Sequence, residues 1–235
     1  MTSLEIEGKK IALFGSENTS SPLVILDTYG NEGQEVWNEC QKLNCPPFCL
    51  SAISNLDWNN ELSPWESPAL YKNDGGFSGG ADSYLSLLTD KIVPDVCDSI
   101  GAKPSYLALA GYSLAGLFAI YAACKTDVFS RIVSASGSLW FPNFEEYVKS
   151  QDFLKKPDYI YLSLGDTGAK AKNKLLATVQ DKTESLFELH KSLEIPVIFE
   201  LNKGNHFTEA ALRTAKGIKW ILEQQRDRLC CWNRP

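Results

Sequence analysis

Two kinds of hydrophobic run alternate along the chain. The first kind is short and apolar almost throughout: Pro22-Leu-Val-Ile-Leu26, Phe48-Cys-Leu-Ser-Ala-Ile53, Ser105-Tyr-Leu-Ala-Leu-Ala110, Phe129-Ser-Arg-Ile-Val-Ser-Ala-Ser136, Tyr159-Ile-Tyr-Leu-Ser-Leu164 and Pro196-Val-Ile-Phe-Glu-Leu201. Each has the length of a strand without the alternation of a half-exposed one, the pattern of a sheet covered on both faces. Leu4-Glu-Ile-Glu7 and Ile11-Ala-Leu-Phe14 read as two shorter opening strands. The second kind of run has helical spacing. It predicts a helix over 34–43 with Val36, Trp37 and Cys40 on one face, stopped by Pro46-Pro47, and a helix over 81–100 kinked at Pro94. It also predicts an Ala- and Leu-rich helix after Ser113, a short helix at 144–150 and an amphipathic helix over 173–193. A last helix buries Ala211, Ala215, Ile218 and Leu222.

Strands alternating with helices predict an α/β fold, a mostly parallel central sheet with helices on both faces. Right-handed crossovers then place functional loops at the carboxyl ends of the strands. The length of 235 residues fits a single domain over 1–235. Residues 54–80 break the alternation. They are rich in Asn, Ser, Pro and Gly and carry Trp58, Trp65, Tyr71 and Phe77, as in a loop that serves a site.

Charge narrows the partners. A net charge of −6 argues against nucleic acid or an anionic membrane surface. No apolar run has the length of a membrane span, and the first residues carry no signal-peptide pattern. The seven cysteines, an odd number without a secretion signal, fit reduced thiols in a cytoplasm. Cys40, Cys45 and Cys49 match no zinc spacing, so no metal is expected there, and Cys230-Cys231 read as exposed thiols.

The chemistry sits at Gly111-Tyr112-Ser113-Leu114-Ala115-Gly116, between an apolar strand and an apolar helix. A serine at the apex of such a turn is a candidate nucleophile, held in a strained backbone by small neighbours. Ala115 stands where the G-x-S-x-G pattern has Gly, one methyl larger. Asp166 follows the strand ending at Leu164, and His206 follows the strand ending at Leu201. In a parallel sheet all three loops open on one edge, in the order nucleophile, acid, base. An imidazole makes a serine hydroxyl nucleophilic, and a carboxylate can orient that imidazole. Asp181 or Glu184 could replace Asp166, and a Ser–His dyad without an acid is a further alternative. The other histidine, His190, falls inside the amphipathic helix and is expected half-exposed. The oxyanion donors are expected to be the N–H groups of Leu114 and of Tyr29, with Gly30 beside it. Trp58, Trp65, Trp140 and Phe141 are the expected substrate walls.

Gly111-Tyr-Ser-Leu-Ala-Gly-Leu-Phe-Ala119, Ser134-Ala-Ser-Gly-Ser-Leu-Trp-Phe141, Tyr161-Leu-Ser-Leu-Gly-Asp166 and Gly204-Asn-His-Phe207 resemble the esterase D branch of the α/β-hydrolases, in particular its enterobactin/salmochelin esterase-like members. The resemblance implies an α/β-hydrolase fold and a serine esterase with Ser113 as nucleophile and His206 as base, requiring no cofactor. Some relatives work with a dyad, and the branch spans carboxylester, thioester and trilactone substrates as well as acyltransferases. A helical cap like that of many lipases is not expected, which implies an open site. Ferric catecholate siderophores are strongly anionic, whereas only Lys72, Lys170, Lys172 and Lys203 fall near the candidate site. A small neutral ester fits this acidic chain better. A catalytically silent binding protein is the reading from another class, and homo-oligomerisation stays open.

Overall fold

The computed structural model of the chain describes residues 2–15, 20–72, 75–101, 103–168 and 172–224. Lys170 and the Cys230-Cys231 pair lie outside them. The chain opens with a hairpin of β1 (Thr2–Ile6) and β2 (Lys9–Gly15). Glu7 and Gly8 turn it, both at positive φ (49° and 76°), which matches the right-handed strand twist. There follow β3 (Leu23–Asp27), α1 (Glu32–Lys42) and β4 (Cys49–Ser54). The stretch expected to be a loop contains a one-turn helix α2 (Trp58–Glu61) and a two-stranded ladder of β5 (Glu66–Ser67) with β6 (Phe77–Ser78).

The helix expected over 81–100 is interrupted rather than simply kinked. α3 (Ala81–Leu87) passes through a π-helical turn at Leu88–Ile92 into α4 (Val93–Ser99). Pro94 has no N–H to return to the preceding turn, and the widened turn lies just before it. Then come β7 (Leu107–Tyr112), α5 (Leu114–Lys125), β8 (Arg131–Ala135), α6 (Phe144–Lys149) and β9 (Tyr159–Gly165). The helix expected from 173 begins later: a 3₁₀ turn at Leu176–Thr178 leads into α7 (Val179–Ser192). β10 (Val197–Asn202) and α8 (Ala210–Glu223) complete the order.

The strands form one eight-stranded sheet ordered β1-β2-β4-β3-β7-β8-β9-β10. β1, β2 and β4 are joined by antiparallel pairs, and every pair from β4 to β10 is parallel. This is the α/β-hydrolase fold, with helices on both faces. One core holds α3, α4 and α5 against the sheet; the other holds α1 and α8. α5 is buried all round from Leu114 to Cys124, which explains why its sequence is apolar without a polar face. Among the described residues no helix is long and apolar enough to cross a membrane.

The register brings the functional loops to one edge. Asp27 pairs with Gly111, Tyr112 with Ala135, Ala135 with Ser163 and Asn202 with Gly165. The loops after β3, β7, β8, β9 and β10 therefore leave the sheet side by side.

Candidate active site

Ser113 joins β7 to α5 at φ 59° and ψ −120°, a region that costs a non-glycine residue about 1–3 kcal/mol. The cost is met by packing around the turn. A Cβ on Gly111 would lie 2.3 Å from the Ala115 carbonyl carbon and 2.6 Å from the Ala115 Cβ, so the methyl at 115 fits only because 111 has none. A Cβ on Gly116 would meet Ser134 Oγ at 3.0 Å. Gly116 thus keeps α5 close to β8.

The turn aims Ser113 Oγ at His206, 3.0 Å from Nε2. Burial and, after it, the charge of Arg213 hold the His206 imidazole below its ordinary 6.5, leaving it the neutral form that can accept the serine proton. Ser138 Oγ lies 3.3 Å from Ser113 Oγ on the other side, and its N–H donates to the Ser113 carbonyl at 2.9 Å. The sequence reading passed over Ser138. A hydroxyl two residues after a strand-ending serine, on the same sheet edge as Ser113, was the available signal.

Asp166 is not brought to His206. It is exposed, and its Oδ1 accepts the Gly204 N–H at 2.9 Å. Asp181 and Glu184 are exposed on α7, where Glu184 accepts from Gln180. Among the described residues no carboxylate accepts a hydrogen bond from the His206 ring. His190 is corrected from half-exposed to fully buried, 0% accessible, and burial, only partly offset by the Leu186 backbone, pushes it down to about 4.

The two oxyanion candidates on one strand end separate. The Gly30 N–H donates to Glu32 Oε2 at 2.6 Å, which removes it from the pair. Tyr29 stays at the site, 73% exposed with its ring edge-on to Trp58 at 5.4 Å. The Leu114 N–H opens α5, where no preceding helical turn supplies a carbonyl. Beneath this loop Asp27 is buried, and Tyr84 from α3 donates to its Oδ1 at 2.5 Å. Desolvation pushes the Asp27 carboxyl up to about 7.

Two cavities meet at Ser113, His206 and Phe207. One, of about 400 Å³, opens towards α1 and α8 and is walled by Tyr29, Val36, Trp58 and Ala211. The other, of about 510 Å³, is walled by Tyr71, Trp140, Leu176 and Val179, with the hydroxyls of Ser136 and Ser138. Phe207, 87% exposed, stands between them. Trp58 and Trp140 are therefore at the site. Trp65 and Phe141 are not: half-buried Trp65 packs on the core and meets the buried Phe141 edge-on at 5.9 Å, and the Trp65 indole N–H donates to the Pro142 carbonyl at 3.1 Å. The β5–β6 ladder carries Trp65 over α6 instead of over the serine. No Lys or Arg side chain among the described residues lines either cavity.

Known proteins place this geometry in context. Bacillus subtilis YbbA is 24% identical over 200 residues, 80% of this chain and 79% of YbbA. The siderophore hydrolase EstA of Aspergillus nidulans superposes with a TM-score of 0.74 at 14% identity, covering 94% of this chain and 93% of EstA. An IroE-like serine hydrolase of Shewanella oneidensis gives 0.75 at 17% identity over 94% of this chain and 79% of its own. The family model described as "Putative esterase" matches residues 26–198, which include the serine turn and most of the sheet, and the chain belongs to that family of hydrolytic enzymes.

Proposed function

We propose that the chain is a serine carboxylesterase working through a Ser113–His206 dyad. The observation that carries this reading is the 3.0 Å approach of Ser113 Oγ to a neutral imidazole at a strained strand–helix turn. The serine hydroxyl gives its proton to His206 Nε2 as Oγ attacks the ester carbonyl. The resulting oxyanion is held by the N–H groups of Leu114 and Tyr29. Collapse breaks the bond to the alcohol oxygen, which leaves with the proton from His206. Water then gives a proton to His206 and attacks the acyl-serine, and the acid and free serine are released.

The substrate is a neutral ester with an arm on each side of the scissile bond, one for each cavity. The likeness to the siderophore hydrolase EstA makes a siderophore ester a second reading. The absence of basic side chains from the described cavity walls favours a neutral ester over a ferric catecholate. The thiols of Cys40, Cys45, Cys97 and Cys124, none of them in a disulfide, suit a reducing compartment such as the cytoplasm. The test is a panel of p-nitrophenyl esters against a ferric catecholate trilactone, with Ser113→Ala as control. Neutral esters should be cleaved faster, and only by wild type. Faster cleavage of the trilactone would replace this substrate class.

A further inference from the structure

A buried cation that the dyad's chemistry does not use lies beside it. Arg213, on the sheet-facing side of α8, is 1% exposed. Among the described residues it forms no ion pair; Glu200, which feels its charge, pairs with Lys216 at 2.7 Å. Its Nε has no hydrogen-bond partner. An unpaired buried cation is costly, by several kcal/mol, so what it touches matters.

It touches the loop that carries His206. Nη2 donates to the Lys203 carbonyl at 3.0 Å and Nη1 to the Asn205 carbonyl at 2.9 Å. Nη1 also reaches Ser136 Oγ at 3.3 Å and Tyr112 Oη at 3.5 Å. Tyr112 Oη in turn donates to the His206 carbonyl at 2.5 Å. The carbonyls of 203, 205 and 206 thus converge on two side chains, the buried Arg213 and the half-buried Tyr112. A planar guanidinium can hold two carbonyls at once where a lysine ammonium acts as a single point.

We propose that Arg213 is the positioning residue of the dyad: its guanidinium fork, by binding the Lys203 and Asn205 carbonyls, keeps the His206 loop where Nε2 meets Ser113. From below the loop it takes over one task of a triad's carboxylate, holding the imidazole in place, without that carboxylate's support of the imidazolium. The inference rests on the Ser113–His206 reading. A second effect follows from charge. The groups around His206 are Arg213 from α8, Tyr112 and Ser113 from the β7 turn, Asp166 from the β9 loop, Glu32 and Glu35 across the cavity on α1, and Lys203 and Glu209 in its own loop. Of these, Arg213 opposes the imidazolium.

The test compares Arg213→Met and Arg213→Lys with wild type. It reads melting temperature, the kcat and KM of ester hydrolysis, and the titration of the His206 ring proton by NMR, with His206→Gln assigning the signal. In Arg213→Met the ring should titrate at higher pH than in wild type. Its kcat should fall about 10–100-fold with KM within about twofold, the scale of a misplaced catalytic group. Arg213→Lys keeps the charge, so its titration should move less, while kcat still falls at least about tenfold because one ammonium does not span both carbonyls. A folded Arg213→Met with unchanged kcat and an unmoved titration overturns the proposal. If that variant does not fold, Arg213→Lys decides: wild-type kcat with a lowered melting temperature overturns it. If wild type cleaves no ester, the esterase reading fails by itself. The NMR titrations then decide Arg213: an unmoved ring in both variants overturns its hold on His206.

Discussion

Asp166→Asn separates a dyad from a triad by magnitude. In a triad, converting the acid to its amide lowers kcat about 10⁴-fold, about 5 kcal/mol. Here the carboxylate accepts one hydrogen bond, from the Gly204 N–H at 2.9 Å, and faces solvent. Asparagine keeps a carbonyl oxygen that can accept the same bond. Only the extra strength of a charged acceptor is lost, about 1 kcal/mol. If all of that loss loosened the His206 loop, the rate would fall about fivefold. The assay is kcat/KM on a short neutral p-nitrophenyl ester from pH 5 to 9 (about, spanning the histidine range), beside a thermal melt. The expected result is a fall of no more than about fivefold with an unmoved acid limb. A loss of about 10³-fold or more in a folded variant would refute the dyad and return Asp166 to the acid's place.

Other outcomes follow from the same contacts. The acid limb of kcat/KM should lie below pH 6.5, because burial and Arg213 hold His206 below that value; a limb above it would mean that a carboxylate supports the imidazole after all. Ser138→Ala removes the hydroxyl 3.3 Å from the nucleophile and should lower kcat/KM about three- to tenfold without loss of stability, as steady-state kinetics and a melt would check. Gly111→Ala drives a methyl to 2.3 Å from the Ala115 backbone and should cost about 3 kcal/mol or prevent folding, read by denaturant unfolding. His190 is about 4 in the fold against 6.5 unfolded, so the unfolded chain takes up the proton first as pH falls. The His190 contribution to stability should be whole above pH 6.5 and fall by about 3 kcal/mol towards pH 4, at about 1.4 kcal/mol per pH unit; Asp27, up at about 7, acts with the opposite sign over that window, so the His190 part is read as the difference between the pH–stability curves of wild type and His190→Leu.

Much of the fold was legible in the sequence because buried parallel strands leave a local mark, an uninterrupted apolar run. The loop order placed Ser113 and His206 together for the same reason: parallel register alone sends their loops to one edge. What escaped depended on side-chain direction. Trp65 and Phe141 look like site aromatics in sequence, but whether an aromatic faces a cavity or a core is decided by the ladder that carries Trp65 over α6. Asp166 has the right loop, yet its side chain turns to the Gly204 peptide rather than to the imidazole. His190 was readable: Val179, Thr183, Leu186 and His190 form one buried stripe at helical spacing. Arg213 too lies on a readable line, with Gly217 and Ile221 on the buried face of α8. A cation there signals a polar task within the fold, though not which carbonyls it holds.

The central claim is an activated Ser113, and labelling with a fluorophosphonate probe tests it most directly. Wild type should label rapidly at a single serine. Ser113→Ala should not label, and His206→Gln should label far more slowly. A folded wild-type protein that does not label, or one that labels equally after Ser113→Ala, would contradict the account and leave an α/β-hydrolase fold put to another use.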